Sequence, residues 1–197
     1  MKDRDPHGCA PEKSETVLVL VDVINDFDFP ANEKLLRFAL PAARRIATLK
    51  SRLRNLRIPA IYVNDNFGRW QSDFKRQVSL CIRESSPGAA VARLLIPEED
   101  DYFVLKPKHS GFYSTSLDVL LSYLGAERLI ITGFAADICV LFTANDAYMR
   151  DYELIVPADC IAAESSAAHK SACSQMKRFL GADVKPSSRL RLARNHQ

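Results

Sequence analysis

The sequence predicts an α/β protein in which a mainly parallel sheet lies between two layers of helices. Short apolar, β-rich runs alternate along the chain with longer segments of helical periodicity. The runs VLVLV and LIIT lack polar alternation, which is typical of strands covered on both faces. With 197 residues, of which 47% are hydrophobic and 26% charged, the chain can bury one sizeable core. These observations predict one three-layer α/β/α sandwich.

The elements follow in order from the periodicity. Apolar β-rich runs predict strands at 17–23, 60–64, 102–105, 129–134 and 154–157. Apolar residues at three- and four-residue steps predict helices at 40–56, 116–124, 137–150 and 163–180, with a weaker signal at 72–81. Residues 1–15 are polar and broken by proline and glycine, so we predict a flexible arm, then a domain at 16–186 and a tail at 187–197.

Composition argues against several classes of function. The net charge of +3 is too small to indicate a nucleic-acid partner. No apolar run approaches the roughly 20 residues that span a bilayer, so no membrane partner is expected. The five cysteines form no C-x-x-C pair, which favours reduced thiols and a cytoplasmic protein. Glycine-rich phosphate-binding motifs are absent, so we expect no nucleotide cofactor.

Three polar residues follow predicted strands, at the sheet edge where ligands bind in such folds. Asp22 comes after VLVLV, and Lys106 comes after YFVL. Cys139 follows LIITGF in the first turn of the next helix, for which Asp137 is the predicted N-cap. Each residue also has an ordinary alternative role. Asp22 could accept backbone N–H groups of the following turn, Lys106 could be a surface lysine, and Cys139 could be a buried thiol of the core.

An acid, a cation and a thiol at one sheet edge favour a hydrolase with a cysteine nucleophile. The helix dipole and Lys106 would favour the thiolate of Cys139, while Asp22 would take and return protons. The predicted core stripe of this helix leaves Cys139 to one side. That stripe consists of Ile138, Leu141, Phe142 and Met149.

The chain resembles the isochorismatase-like cysteine hydrolase family, which includes nicotinamidases, N-carbamoylsarcosine amidases and ureidoacrylate amidases. The matching segments are LVLVDVINDF, IYVND, VLKPKHSGFYSTSLDVLL, ITGFAADICVLFTANDAY and a helical H-x3-C-x2-QM region. The resemblance implies a six-stranded Rossmann-like sheet and a catalytic triad of Asp22, Lys106 and Cys139. It also implies a cis peptide between Phe134 and Ala135, and an oxyanion hole formed by the backbone N–H groups of Ala135 and Cys139.

The resemblance also implies the chemistry. We expect hydrolysis of a C–N bond in a small amide, carbamoyl or ureido substrate through a thioester on Cys139. Two alternatives stay open: a vinyl-ether hydrolase like the isochorismatases proper, and a non-catalytic binding or assembly relative. Family members commonly form dimers or tetramers, so we expect a homo-oligomer whose other partner is a small-molecule substrate.

Substrate contacts are predicted near the pocket mouth. Phe27, Arg69 and Trp70 are the candidates there, with Arg69 able to bind a carboxylate and Trp70 to stack on a substrate or pack a loop. The fourth candidate substrate contact is Ala136, which stands where many relatives carry threonine. The segment VNDNFGRWQSDF contains no histidine, and the four histidines of the chain are scattered, so we predict no metal site. Asp65 lies in this segment, but a single carboxylate is not enough to predict one.

Overall fold

The computed structural model describes residues 13–68 and 73–191. Within them, one parallel sheet has the strand order β3-β2-β1-β4-β5, and β6 pairs with the carboxyl end of β4. The predicted fold class is confirmed. The strands are β1 (Thr16–Val21), β2 (Ala60–Asp65), β3 (Tyr102–Lys106), β4 (Arg128–Phe134), β5 (Glu153–Ile155) and β6 (Ile161–Ala162).

Helices cover both faces of the sheet, which gives the three layers. They are α1 (Asn32–Asn55), α2 (Phe74–Cys81), α3 (Ala89–Leu94), α4 (Leu117–Leu124), α5 (Leu141–Tyr148) and α6 (Ser166–Phe179). A π-helical turn, Ala136–Val140, leads directly into α5. None of the helices in the described part of the chain is both long and apolar enough to cross a membrane.

Alternate residues of β1 supply the two halves of the core, because successive side chains of a strand point to opposite faces. Leu18 and Leu20 pack with α1, α2 and α3 on one face. Val17, Val19 and Val21 pack with α4, α5 and α6 on the other. Burial on both faces explains why the strand reads as a continuous apolar run.

The first helix is longer than predicted. It begins at Asn32 rather than at residue 40, and Pro41 lies inside it. Proline lacks an N–H group and is found mostly in the first turn of a helix, which is why the sequence pattern favours a start near Pro41. Buried Leu35 and Ala39 carry the apolar face of α1 through the added turns, so tertiary packing outweighs this preference.

The predicted core stripe of the helix after β4 is wrong for three of its four residues, whereas Leu141 is partly buried and packs against the core. Ile138, Phe142 and Met149 are 41%, 52% and 67% exposed, respectively. Small residues face the core instead, because this helix packs closely against the sheet and α6. The buried set is Ala136, Val140, Thr143, Ala144 and Ala147.

The described ends of the chain pack on the domain. Ser14 donates its N–H to the Leu124 carbonyl at 2.7 Å, and the Ser187 N–H donates to Asp159 at 2.6 Å. Residues 1–12 of the predicted arm and 192–197 of the predicted tail lie outside the described residues. The boundaries of the domain therefore stay a prediction.

The order of the strands places a crevice at the carboxyl end of β1. From β1 the chain continues to β2 and β3 on one side, whereas β4 and β5 lie on the other side of β1. Loops leaving neighbouring strands in opposite directions open a cleft at this point of an α/β sheet. Asp22 follows β1, and the π turn follows β4.

Candidate active site

Asp22 lies directly after β1 and is 6% exposed. Its φ of 52° is a left-handed conformation, which aspartate tolerates better than most residues other than glycine. One carboxylate oxygen, Oδ1, accepts the Asp65 backbone N–H at 2.7 Å. The other oxygen, Oδ2, lies 2.8 Å from the Nζ atom of Lys106, so both oxygens have partners.

Lys106 reaches Asp22 from the far side of β2. Adjacent strands lie about 4.8 Å apart, so β3 and β1 are separated by about 10 Å, a distance that the side chains of Lys106 and Asp22 bridge together. Its side chain is completely buried. Besides Asp22, its Nζ atom donates to the Lys108 carbonyl at 3.2 Å and lies 3.6 Å from the Cys139 sulfur.

Cys139 sits in the π turn between β4 and α5. The expected N-cap is wrong: the turn begins at Ala136, none of the described side chains caps it, and Asp137 lies inside it. The Ala135 carbonyl accepts the N–H groups of Ile138 and Val140, the two neighbours of Cys139, at 3.2 and 3.1 Å. The Thr143 hydroxyl donates to the Cys139 carbonyl at 2.7 Å, which ties the turn to α5.

The surroundings of the Cys139 thiol disfavour its thiolate, chiefly through burial. Burial and the negative charge of Asp22 raise the pKa of Cys139 to about 12, and Lys106 offsets only part of this. Burial also raises the pKa of Asp22, although Lys106 opposes the shift. Burial disfavours the charge of Lys106, but Asp22 outweighs it and the pKa of Lys106 is raised. The thiol therefore needs a proton acceptor at the moment of reaction, contrary to the thiolate expected from the helix dipole.

Cys139 and Asp22 line a cavity of about 480 Å³. Half-exposed Phe29 and Phe67 lie in its walls, as does buried Cys81. Five aspartates make its described walls acidic, and the lining also includes the cation Arg76 and the imidazole of His109. The aspartates are Asp22, Asp26, Asp28, Asp65 and Asp73.

His109 lies beside the thiol, a contact that the sequence did not predict. Its Nδ1 atom lies 3.7 Å from the Cys139 sulfur, and its ring packs against Phe142 with ring centroids 5.6 Å apart. Only its position three residues after Lys106 placed it near the site, and scattered histidines do not reveal such a contact. The loop that carries it is held by Ser110, which bonds to Asp146, and by the Gly111 N–H, which donates to Thr143 at 3.0 Å.

The predicted substrate contacts lie in different places. Phe27 is fully buried in the core against Phe134, with ring centroids 6.2 Å apart, so it is not at the pocket mouth. Ala136 is also fully buried. Arg69 and Trp70 lie outside the described residues.

The peptide bond between Phe134 and Ala135 is cis, as the resemblance implied.

A metal site is not evident in the described chain. No group of three or more histidine, cysteine, aspartate or glutamate side chains in residues 13–68 and 73–191 is arranged to hold an ion. One Asp65 oxygen accepts the Phe67 N–H at 2.6 Å, and the other lies 3.9 Å from Lys106. The expectation of a metal-free protein stays a prediction.

Comparisons with known proteins identify relatives along nearly the whole chain. Residues 16–184 match the family model described as the isochorismatase domain. The isochorismatase family protein YaaI of Bacillus subtilis (strain 168) is 42% identical over 172 residues, which cover 87% of this chain and 94% of that protein. The ureidoacrylate amidohydrolase RutB of Methylobacterium radiotolerans is 28% identical over 203 residues, which cover 89% of this chain and 78% of that protein. The crystal structure of N-carbamoylsarcosine amidase from Thermoplasma acidophilum aligns with a TM-score of 0.67 and 32% sequence identity. The alignment covers 91% of this chain and 100% of that chain.

Proposed function

The chain belongs to the isochorismatase family of hydrolases, and on that basis we propose that it is a cysteine hydrolase that cleaves a C–N bond in a small amide, carbamoyl or ureido compound. The observation that carries the proposal is the thiol of Cys139 in the wall of a cavity, beside a buried ion pair of Asp22 and Lys106. Buried charges are costly to maintain, and functional sites are where such charges are concentrated.

In the proposed reaction, Asp22 accepts the thiol proton as the Cys139 sulfur attacks the substrate carbonyl. The raised pKa of Asp22 makes it a stronger base than an exposed aspartate. Lys106 stabilises the negative charge that moves between the carboxylate and the sulfur. Loss of the amine leaves a thioester on Cys139, and water then hydrolyses this thioester to release the acid.

The backbone N–H groups of Ala135 and Cys139 are the proposed oxyanion hole. Two N–H groups directed at the developing oxyanion stabilise acyl transfer strongly, because they need no reorganisation during the reaction. The bonds of Ile138 and Val140 to the Ala135 carbonyl support this role, since they hold the turn rigid on both sides of Cys139.

The acidic walls of the cavity favour a substrate that is neutral or positively charged. A carboxylate-bearing substrate would need a cation such as Arg76 or the predicted ligand Arg69. The names of two relatives refer to a carbamoyl and a ureido compound, which supports these two substrate classes as candidates.

The test is a screen of small primary amides, carbamoyl compounds and ureides for ammonia release, with each neutral compound paired with a carboxylate-bearing analogue. We expect Cys139→Ala to lower turnover by at least about 1000-fold, because it removes the nucleophile. Cys81→Ala is the matched control, since it removes another thiol that lines the same cavity and leaves Asp22, Lys106 and Cys139 in place.

Two results would overturn the proposal. Hydrolysis of a vinyl ether that survives Cys139→Ala would identify the isochorismatase type of chemistry. No hydrolysis of any compound, together with labelling of Cys139 by iodoacetamide no faster than that of Cys81, would identify a non-catalytic relative.

A further inference from the structure

One group beside the thiol has no part in the reaction described above. His109 is an exposed residue of the loop between β3 and α4, and its Nδ1 atom is 3.7 Å from the Cys139 sulfur, within hydrogen-bonding reach for sulfur. It also lines the cavity. The thiol is thus flanked by a buried carboxylate, Asp22, and by an imidazole that is open to solvent.

Asp22 is poorly placed to complete the proton transfers alone. It is 6% exposed, and its two oxygens bond to Lys106 and to the Asp65 N–H. The departing nitrogen needs a proton, and the water that hydrolyses the thioester must enter from the solvent-exposed side of the sulfur. An imidazole on that side can exchange protons with both, because one of its ring nitrogens can donate a proton while the other accepts one.

We propose that His109 is a further catalytic residue of this site, which protonates the leaving nitrogen and then activates the hydrolytic water. The inference rests on the proposed function. His109 is held for this role by the ring of Phe142 and by the anchored residues Ser110 and Gly111 that follow it in the loop.

The proton transfers balance over one turnover. During acylation the S–H proton moves to Asp22, the S–C bond forms, the C–N bond breaks, and the imidazolium of His109 gives its proton to the nitrogen. During deacylation water gives a proton to neutral His109 while its oxygen attacks the thioester. The S–C bond then breaks and the sulfur recovers its proton from Asp22. The net change is amide plus water to acid plus amine.

The experiment compares two leaving groups. The initial burst of p-nitrophenolate from p-nitrophenyl acetate reports acylation by a leaving group that needs no proton. Ammonia release is measured with the primary amide that the wild-type protein hydrolyses fastest. The variants are His109→Gln and, as the matched control, His169→Gln, in which the same change is made in α6 at a residue that bonds to the Ala158 carbonyl at 2.8 Å.

We expect His109→Gln to keep the burst rate within about threefold of wild type and to lose about 100-fold or more in ammonia release. His169→Gln should leave both rates unchanged. Equal losses of burst rate and ammonia release in His109→Gln would overturn the inference, because His109 would then only shape or activate the thiol. Unchanged ammonia release would also overturn it.

Failure of the proposed function gives a different pattern. In that case the wild-type protein shows neither burst nor ammonia release, or both survive Cys139→Ala, and the inference falls with it. If Cys139→Ala abolishes both signals while His109→Gln leaves ammonia release intact, the inference alone is wrong.

Discussion

Replacing Lys106 by methionine tests how much the free energy of unfolding falls when buried Asp22 loses its cation. Methionine has a similar length and no charge, so the change mainly removes the cation. In the variant, buried Asp22 keeps the Asp65 N–H at 2.7 Å and loses the contact with Nζ at 2.8 Å. The Lys108 carbonyl also loses a donor at 3.2 Å.

The expected loss follows from the burial of both groups. Lys106 is 0% exposed and Asp22 is 6% exposed, so water does not replace the missing cation. Breaking a buried pair by removing one partner lowers the free energy of unfolding by about 3–5 kcal/mol. The double variant Asp22→Asn with Lys106→Met removes both charges, and we expect it to be more stable than Lys106→Met alone.

Urea denaturation followed by circular dichroism measures these differences. In Lys106→Met, the pKa of Asp22 in the folded state rises further above its unfolded value of about 3.9. Such a group favours the folded state at low pH, and that contribution is lost as the pH rises through the folded pKa. The deficit relative to wild type should therefore be larger at about pH 7.5 than at about pH 4.5. A deficit below about 1 kcal/mol at about pH 7.5, or a double variant no more stable than Lys106→Met, would refute the reasoning.

Two further predictions concern the same sheet edge. Gly133→Ala should lower the free energy of unfolding by about 2 kcal/mol or more, because φ is +116° there and a Cβ atom would lie 2.0 Å from the Val21 carbonyl oxygen. An unchanged free energy of unfolding in urea denaturation would contradict this close approach of β1 and β4. In the pH profile of kcat/KM, the midpoint of the acidic limb should lie above the ordinary aspartate pKa of about 4. Burial raises the pKa of Asp22, and only its ionised form accepts the thiol proton. A limb at or below about pH 4 would argue against Asp22 as the base.

Much of the site could be predicted from the order of residues along the chain. Parallel strands place their carboxyl ends at one sheet edge, so residues that directly follow apolar runs converge there. Asp22 and Lys106 follow such runs, and Cys139 lies in the turn after a third, and the structure brings all three together. Hydrophobic periodicity is a property of the sequence itself, and no knowledge of contacts is needed to read it.

Other features depended on contacts that periodicity does not encode. The face of α5 turned to the core could not be inferred from the size of its apolar residues, because the close packing of this helix selects alanine and threonine there. The raised pKa of Cys139 follows from burial and from Asp22 at the end of β1, not from the position of Cys139 in a helical turn.

The sequence by itself therefore determined the α/β/α class, the strand ends and the three polar residues that follow them, because these depend on local pattern and on the geometry of parallel sheets. Only the tertiary structure decided that Lys106 reaches across β2 to Asp22, that Phe27 belongs to the core, and that His109 touches the thiol. Those facts depend on how loops close over the sheet edge, where side chains distant in sequence meet.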